Sequence, residues 1–136
     1  MPLRTKRWND PREDSDGYRL LVSRFRPRGV KREAETWDAW CSALGPSPDL
    51  HAAAYGKGQE AIPWDEYATR YLREMARQRW FVEGFAKPHR EGETITLLCS
   101  SACTDAARCH RTLLAALIDE AAFPSSVAAP VRVVRR

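Results

Sequence analysis

No apolar run in this chain approaches the ~20 residues that a membrane-spanning helix needs. The first ten residues are polar and hold no apolar segment of the signal-peptide kind. A soluble, cytoplasmic protein without a membrane partner is therefore expected. Cysteine is scarce, at four residues, and in that compartment these are expected as free thiols, not as a disulfide framework. Charge of one sign is lacking too: 22 Lys and Arg against 18 Asp and Glu leave a net +4. That permits anionic partners without singling out a nucleic-acid binder. No internal repeat, low-complexity tract or linker divides the chain. What is present is an apolar fraction of 43% with five Trp, enough for one packed domain over all 136 residues. Its core is expected over about residues 4–122, with 123–136 forming a C-terminal loop and an edge strand or tail.

Residues 3–8 are a candidate polar edge strand, and 9–17, rich in Asp, Pro and Gly, a loop. Residues 18–24 have a β-prone centre before Pro27 and Gly29 break the pattern. Trp37, Trp40, Cys41 and Leu44 recur at helical spacing and predict a helix over 31–44, stopped by Gly45 and Pro46. Loops are expected over the Pro/Ser/Asp stretch that follows and over 55–60. Pro63 opens a helix with the apolar face Trp64, Tyr67, Ala68, Tyr71, Leu72 and Met75, running as far as Phe85. Gly92 leads into Ile95, Leu97 and Leu98, a buried strand over 94–99, and 112–118 returns to helical spacing. Strands alternating with helices predict an α/β fold: a single small domain with a mostly parallel sheet flanked by helices, Rossmann-like and three-layered.

Residues 94–118 concentrate the chemistry. Cys99, Cys103, Cys109, His110 and Arg111 fall at a strand-to-helix junction, where open α/β sheets place ligands. Cys109 stands where the helix begins, beside His110 and between Arg108 and Arg111. The helix dipole and those charges would favour its thiolate, the form that attacks electrophiles, with His110 shuttling protons. Adjacent helical positions project about 100° apart, so His51 and His89 are alternative partners. The opposing reading is a buried, inert Cys beside a packing His. No cysteine is followed six positions on by Arg, which excludes the tyrosine-phosphatase loop. Cys99, Cys103, Cys109 and His110 are zinc-type ligands, but their spacing, three residues and then five, is not a usual knuckle. No metal or other cofactor is expected.

Arg24, Arg26, Arg28, Lys31 and Arg32 put five positive charges into nine residues. In extended backbone the first three share one side, suited to phosphate or carboxylate. A solvated edge paired with Glu33, Glu35 or Glu74 is the alternative. If strands 18–24 and 94–99 run parallel, both carboxyl ends open onto one edge, and the arginines meet the cysteine loop there. The Trp37/Trp40 and Trp64/Tyr67/Tyr71 stripes are read as core, with the Tyr71 hydroxyl as an exception that turns toward the site.

Several ordered motifs resemble those of the domain of unknown function 488 family, and in particular its YeaO-like members. Leu21-Val22-Ser23-Arg24-Phe25-Arg26-Pro27-Arg28-Gly29 resembles the family's Leu-Val-Asp-Arg-x-x-Pro-Arg-Gly. Trp40, Leu44, Pro46, Ser47 and Leu50 match a second motif, and Tyr67, Arg70, Tyr71 and Glu74 a third. Leu97-Leu98-Cys99 and Cys109-His110-Arg111 resemble the ending of the Cys-His-Arg branch. Ser23 departs from the usual Asp, removing an obvious general base or ion-pair partner for Arg24; Arg26 and His51 depart from a common Trp and Arg. The resemblance implies a fold and a site, with no reaction attached. It falls on Arg24 and Arg28, which makes them the expected anion holders.

Two functions are in view. One is a small cysteine-dependent enzyme acting on an anionic or nucleotide-like substrate, with Cys109, His110 and Arg111 catalytic and Arg24, Arg28, Cys99, Ser100 and Tyr71 substrate-binding. The other is a non-catalytic regulatory protein that binds nucleic acid or a partner through 24–32 and the tail arginines Arg132, Arg135 and Arg136.

Overall fold

A computed structural model of the chain describes residues 3–56, 58 and 60–124. Among these, β1 (Arg4–Arg7), β2 (Tyr18–Leu21), β3 (Ala39–Trp40) and β4 (Ile95–Cys99) form one sheet in the order β1-β4-β2-β3. Every pairing is parallel, with Arg4 opposite Thr96, Leu20 opposite Leu97 and Leu21 opposite Trp40. β4 sits inside the sheet, and all five of its residues are buried, as its apolar run requires.

Alternation along the strands separates two cores. Leu20, Val22, Ile95 and Leu97 face one way. Onto them pack α1 (Pro48–Tyr55), α2 (Trp64–Met75), α3 (Arg79–Arg90) and α4 (His110–Ala122), through Leu50, Tyr71, Met75, Val82, Leu114 and Ile118 among others. Leu21 and Leu98 face the other way, under Trp37, Trp8 and Val30. That second cover is made of extended segments and short 3₁₀ turns, not of helices. Beneath it lies a fully buried ion pair, Arg19 Nη1 to Asp16 Oδ2 at 2.5 Å, with Lys6 Nζ 2.8 Å from Asp16 Oδ1. The α/β class with an all-parallel sheet and packed helices stands as expected, but the helices lie on one face, so the expected third layer consists of extended segments and turns.

Three local expectations fail. Residues 31–44 are not a helix: they form a 3₁₀ turn at Arg32–Ala34, the short β3, and a second 3₁₀ turn at Ser42–Leu44. Trp37 and Trp40 do not share a face, for Trp37 is buried while Trp40 is 42% exposed and donates its indole N–H to the Ser23 carbonyl at 2.8 Å. Hydrogen bonds to β2 decide the matter, with Asp38 N and Cys41 N reaching the Arg19 and Leu21 carbonyls at 2.7 and 2.9 Å.

The Pro/Ser/Asp stretch contains α1, capped by Ser47, whose hydroxyl accepts from Leu50 N, with Pro48 in the first turn. The long helix from Pro63 is broken after Met75 by a 3₁₀ turn at Ala76–Gln78 and resumes as α3, which carries Pro88 and ends at Arg90, beyond Phe85. The edge strand or tail expected at 131–134, with Arg132, Arg135 and Arg136, lies outside the described residues.

Candidate functional site

Because the four strands point the same way, the segments leaving their carboxyl ends gather at one edge. Trp8 follows β1, residues 23–28 follow β2, Pro46 comes after β3, and 99–105 end and follow β4. With α1 and α2 they enclose a cavity of about 870 Å³. The guanidinium-rich and sulfur-rich segments therefore line one space, with Arg24, Arg28 and Arg108 on its wall beside Cys99, Cys103 and Cys109.

The three thiols form a cluster. Cys99 Sγ lies 3.0 Å from Cys103 Sγ and 3.3 Å from Cys109 Sγ, and all three sulfurs are within 4.8 Å of one another. None is in a disulfide; Cys99 and Cys109 are buried, and Cys103 is half-buried. This trio offers three soft ligand atoms that could hold a thiophilic metal ion. Cys41, the fourth cysteine, lies outside the cluster, and burial raises its thiol pKa.

Hydrogen bonding within the trio sorts the protons. Donation from Cys109 and Cys99, helped by the Ser100 hydroxyl 3.7 Å away, holds the Cys103 thiol well below its usual range. Donating toward Cys103, together with burial, pushes Cys109 up to about 11 and Cys99 higher still. Burial and hydrogen bonding thus disfavour the thiolate expected on Cys109 and favour one on Cys103. Cys109 does sit at the start of α4, but its sulfur is buried and donates to Cys99 Sγ at 3.3 Å.

His110 is 5% exposed, and burial lowers its pKa, so it is neutral. Its Nε2–H donates to the Val22 carbonyl at 2.8 Å. A carbonyl can only accept, so Nδ1 carries the lone pair, and it lies 3.8 Å from Cys99 Sγ. His110 therefore meets Cys99. His89 is remote, packed against Phe123 with Nε2 3.0 Å from Asp119. His51 lines the cavity between Phe25 and Tyr55.

Arg111 is 6% exposed, with Nη2 donating to the Cys103 carbonyl at 3.3 Å. Its Nε and Nη1 are buried with no hydrogen-bond partner among the described residues.

The expected substrate-binding set divides. Arg28 is exposed on the cavity wall. Arg24 also reaches the cavity, but its Nε and Nη2 donate to the Pro46 and Gly45 carbonyls at 2.8 and 3.4 Å, tying the β2 exit to the loop before α1. Arg26 is committed to Glu35 and the Val30 carbonyl and lies 5.4 Å above the Trp37 ring. Ser100 serves the Cys103 sulfur. Tyr71 is corrected: it is fully buried, and its hydroxyl donates to the Leu44 carbonyl at 2.7 Å instead of facing the cavity, while its ring packs on His110.

The sequence places Cys103 at the junction without giving it a catalytic or binding role, and gives none to the cavity-lining Tyr55 and Trp64. Its position four after Cys99, on a loop closed by the Cys103 N–H to Ser100 carbonyl bond of 3.0 Å, is what brings its sulfur back to Cys99.

The family model described as "Active DUF488-N3 subclade" matches residues 3–122. "Uncharacterized protein YeaO" of Escherichia coli is 39% identical over 77 residues, 57% of this chain and 64% of its own length. "Uncharacterized protein Rv3073c" of Mycobacterium tuberculosis is 29% identical over 73 residues, 54% of this chain and 59% of its own. The chain thus spans under two thirds of the length of these curated relatives. No solved structure matches it. With the family model covering the sheet and helices of the described residues, the chain belongs to the domain of unknown function 488 family, in the subclade named DUF488-N3.

Proposed function

We propose that the chain is a small cysteine-dependent enzyme that takes an anionic, nucleotide-like substrate into the cavity and attacks it with sulfur. One observation carries this: the most accessible of three clustered thiols, Cys103, faces a cavity whose wall bears Arg24, Arg28 and Arg108. The exposed Arg28 and Arg108 supply charge to an incoming anion, and Arg24 positions the rim. The Cys103 sulfur adds through its own electron pair to an electrophilic carbon or phosphorus, and the leaving group departs with the bonding pair. Cys99 is the hydrogen-bond partner of that sulfur at 3.0 Å and accepts in turn from Cys109 at 3.3 Å, a positioning role for both, and His110 holds the Nδ1 lone pair beside Cys99. Free thiols suit a reducing, cytoplasmic setting, and the family model's description as active is in keeping with an enzyme.

Nucleic-acid binding through residues 24–32 is favoured less. Arg24 is held by backbone carbonyls and Arg26 by Glu35, so two of the five cations are already engaged.

The test compares alkylation by anionic iodoacetate and neutral iodoacetamide in metal-free buffer, mapped by mass spectrometry. Cys103 is expected to be modified first and to prefer the anion, with the preference lost in Arg28→Ala combined with Arg108→Ala. Equal rates at Cys103 and Cys41, or an anion preference indifferent to both arginines, would overturn the proposal.

A further inference from the structure

The spacing of the cysteines in sequence argues against a zinc knuckle, but their positions in space argue otherwise. Sulfurs from the end of β4, from the following loop and from the start of α4 point into one volume. A tetrahedral zinc with Zn–S bonds near 2.3 Å sets its sulfurs about 3.8 Å apart and an imidazole nitrogen about 3.6 Å from each sulfur. The Cys99 Sγ to His110 Nδ1 separation is 3.8 Å, but the atoms that all lie within 4.8 Å of one another are the three sulfurs alone, so Nδ1 has to close on Cys103 and Cys109 when the ion binds. The sulfurs stand at 3.0 and 3.3 Å, hydrogen-bonded thiol distances that must open by about 0.5–0.8 Å when protons give way to a metal. Cys103 lies on a turn, where such a shift is cheap.

Two further observations point to an ion. The outer nitrogen of His110 donates to the Val22 carbonyl at 2.8 Å, the outer-shell bond that fixes the tautomer of a metal-binding histidine. Three thiolates, one neutral imidazole and a divalent cation carry a net charge of −1, which needs a nearby positive charge. Arg111 supplies one: it is 6% exposed, it is tied to the Cys103 carbonyl, and its Nε and Nη1 have no partner among the described residues.

We propose that Cys99, Cys103, Cys109 and Nδ1 of His110 hold one zinc ion. Binding forms three S–Zn bonds and one N–Zn bond, and the thiol protons leave to solvent without any change of oxidation state. The ion uses the sulfur pair that nucleophilic attack needs, so the zinc-loaded and thiol-reactive forms exclude each other. The site does not rest on the enzyme reading: each can fail while the other stands.

The experiment is titration of reduced, metal-free full-length protein with Co²⁺ and then Zn²⁺. One cobalt per chain is expected, with sulfur-to-cobalt charge transfer and the visible bands of a tetrahedral site, displaced by one Zn²⁺. Cys103→Ser and Cys109→Ser are expected to weaken binding by at least about 100-fold, and His110→Ala by about 10–100-fold, while Cys41→Ser changes nothing. Far-UV circular dichroism monitors folding of each variant. Cys103→Ser, on a half-buried loop position, keeps the test open if Cys109→Ser does not fold. Zinc is also expected to shield Cys103 from iodoacetamide. Lack of the charge-transfer band, retention of binding in Cys103→Ser, or binding of Cu⁺ without Zn²⁺ would overturn the assignment. Alkylation of the metal-free protein reads the enzyme proposal separately.

Discussion

Replacing Asp16 with Ala strikes the polar joint beneath the second face of the sheet. Asp16 and Arg19 are both fully buried and meet at 2.5 Å. The same carboxylate receives Lys6 Nζ at 2.8 Å and the Glu13 backbone N–H at 3.1 Å, and the Asp16 carbonyl receives the Thr96 hydroxyl at 2.7 Å. Residues of β1, β2 and β4 therefore converge on one residue. Removing the carboxylate leaves a buried guanidinium, and breaking such a pair from one side costs about 3–5 kcal/mol. Arg19 keeps the Thr36 and Asp10 carbonyls at 2.8 and 3.2 Å, which places the cost near the lower end. For a chain of this size each kcal/mol lowers Tm by about 3–5 °C, so a fall of about 9–15 °C is expected at pH 7 by circular dichroism. Added salt restores little of it, because screening does not reach a buried pair. Arg79→Ala is the contrast: its pair with Glu83 is 78% and 59% exposed and is worth about 0–1 kcal/mol. If Asp16→Ala lowers Tm no more than Arg79→Ala, the assignment of a buried joint is wrong.

Acid sensitivity follows from the same residue. Burial pushes the Asp16 carboxyl up, but Lys6, the Glu13 N–H and Arg19 together hold it down at about 2, against an ordinary value of 3.8. A depressed carboxylate stabilises the fold above the unfolded value, and its contribution is lost as pH falls from about 4 through about 2. Acid unfolding of the wild type should show this loss, and Asp16→Asn should flatten that limb. Tyr71→Phe should lower stability by about 1–2 kcal/mol in urea unfolding, because it leaves the buried Leu44 carbonyl without its 2.7 Å donor. Gly45→Ala should destabilise by about 1–3 kcal/mol in the same assay. Its Cβ would stand 2.4 Å from Arg24 N and 2.7 Å from Arg24 Cα, both backbone atoms, so the loop before α1 must shift.

Much of this fold is legible in the residues. The apolar runs of β2 and β4 mark buried strands, and their alternation with helices gives parallel pairing and a shared carboxyl edge. β3 is not legible, because Trp37, Trp40, Cys41 and Leu44 satisfy helical spacing by coincidence. What makes them a strand and a turn is hydrogen bonding to β2, a long-range term that periodicity does not contain. α1 was within reach, since Ser47, Pro48 and Asp49 are N-cap, first-turn proline and first-turn acid. The same residues also form turns, and at eight residues the helix is too short for periodicity to decide.

At the site, chain order locates the chemistry but not its division among side chains. Which of three sulfurs holds the negative charge depends on which thiols donate to it. The Tyr71 hydroxyl and Arg24 donate to the Leu44 and Pro46 carbonyls, in a segment whose path the helical spacing of 37–44 does not reveal.

The central claim is that residues 24–28 and 99–110 line one cavity, the one proposed above to take an anion. A ¹⁵N heteronuclear titration with pyrophosphate tests it most directly. The account predicts that amides in both segments, Arg28 and Cys103 among them, shift together along one saturation curve. Shifts confined to one segment, or two curves with different midpoints, would contradict it.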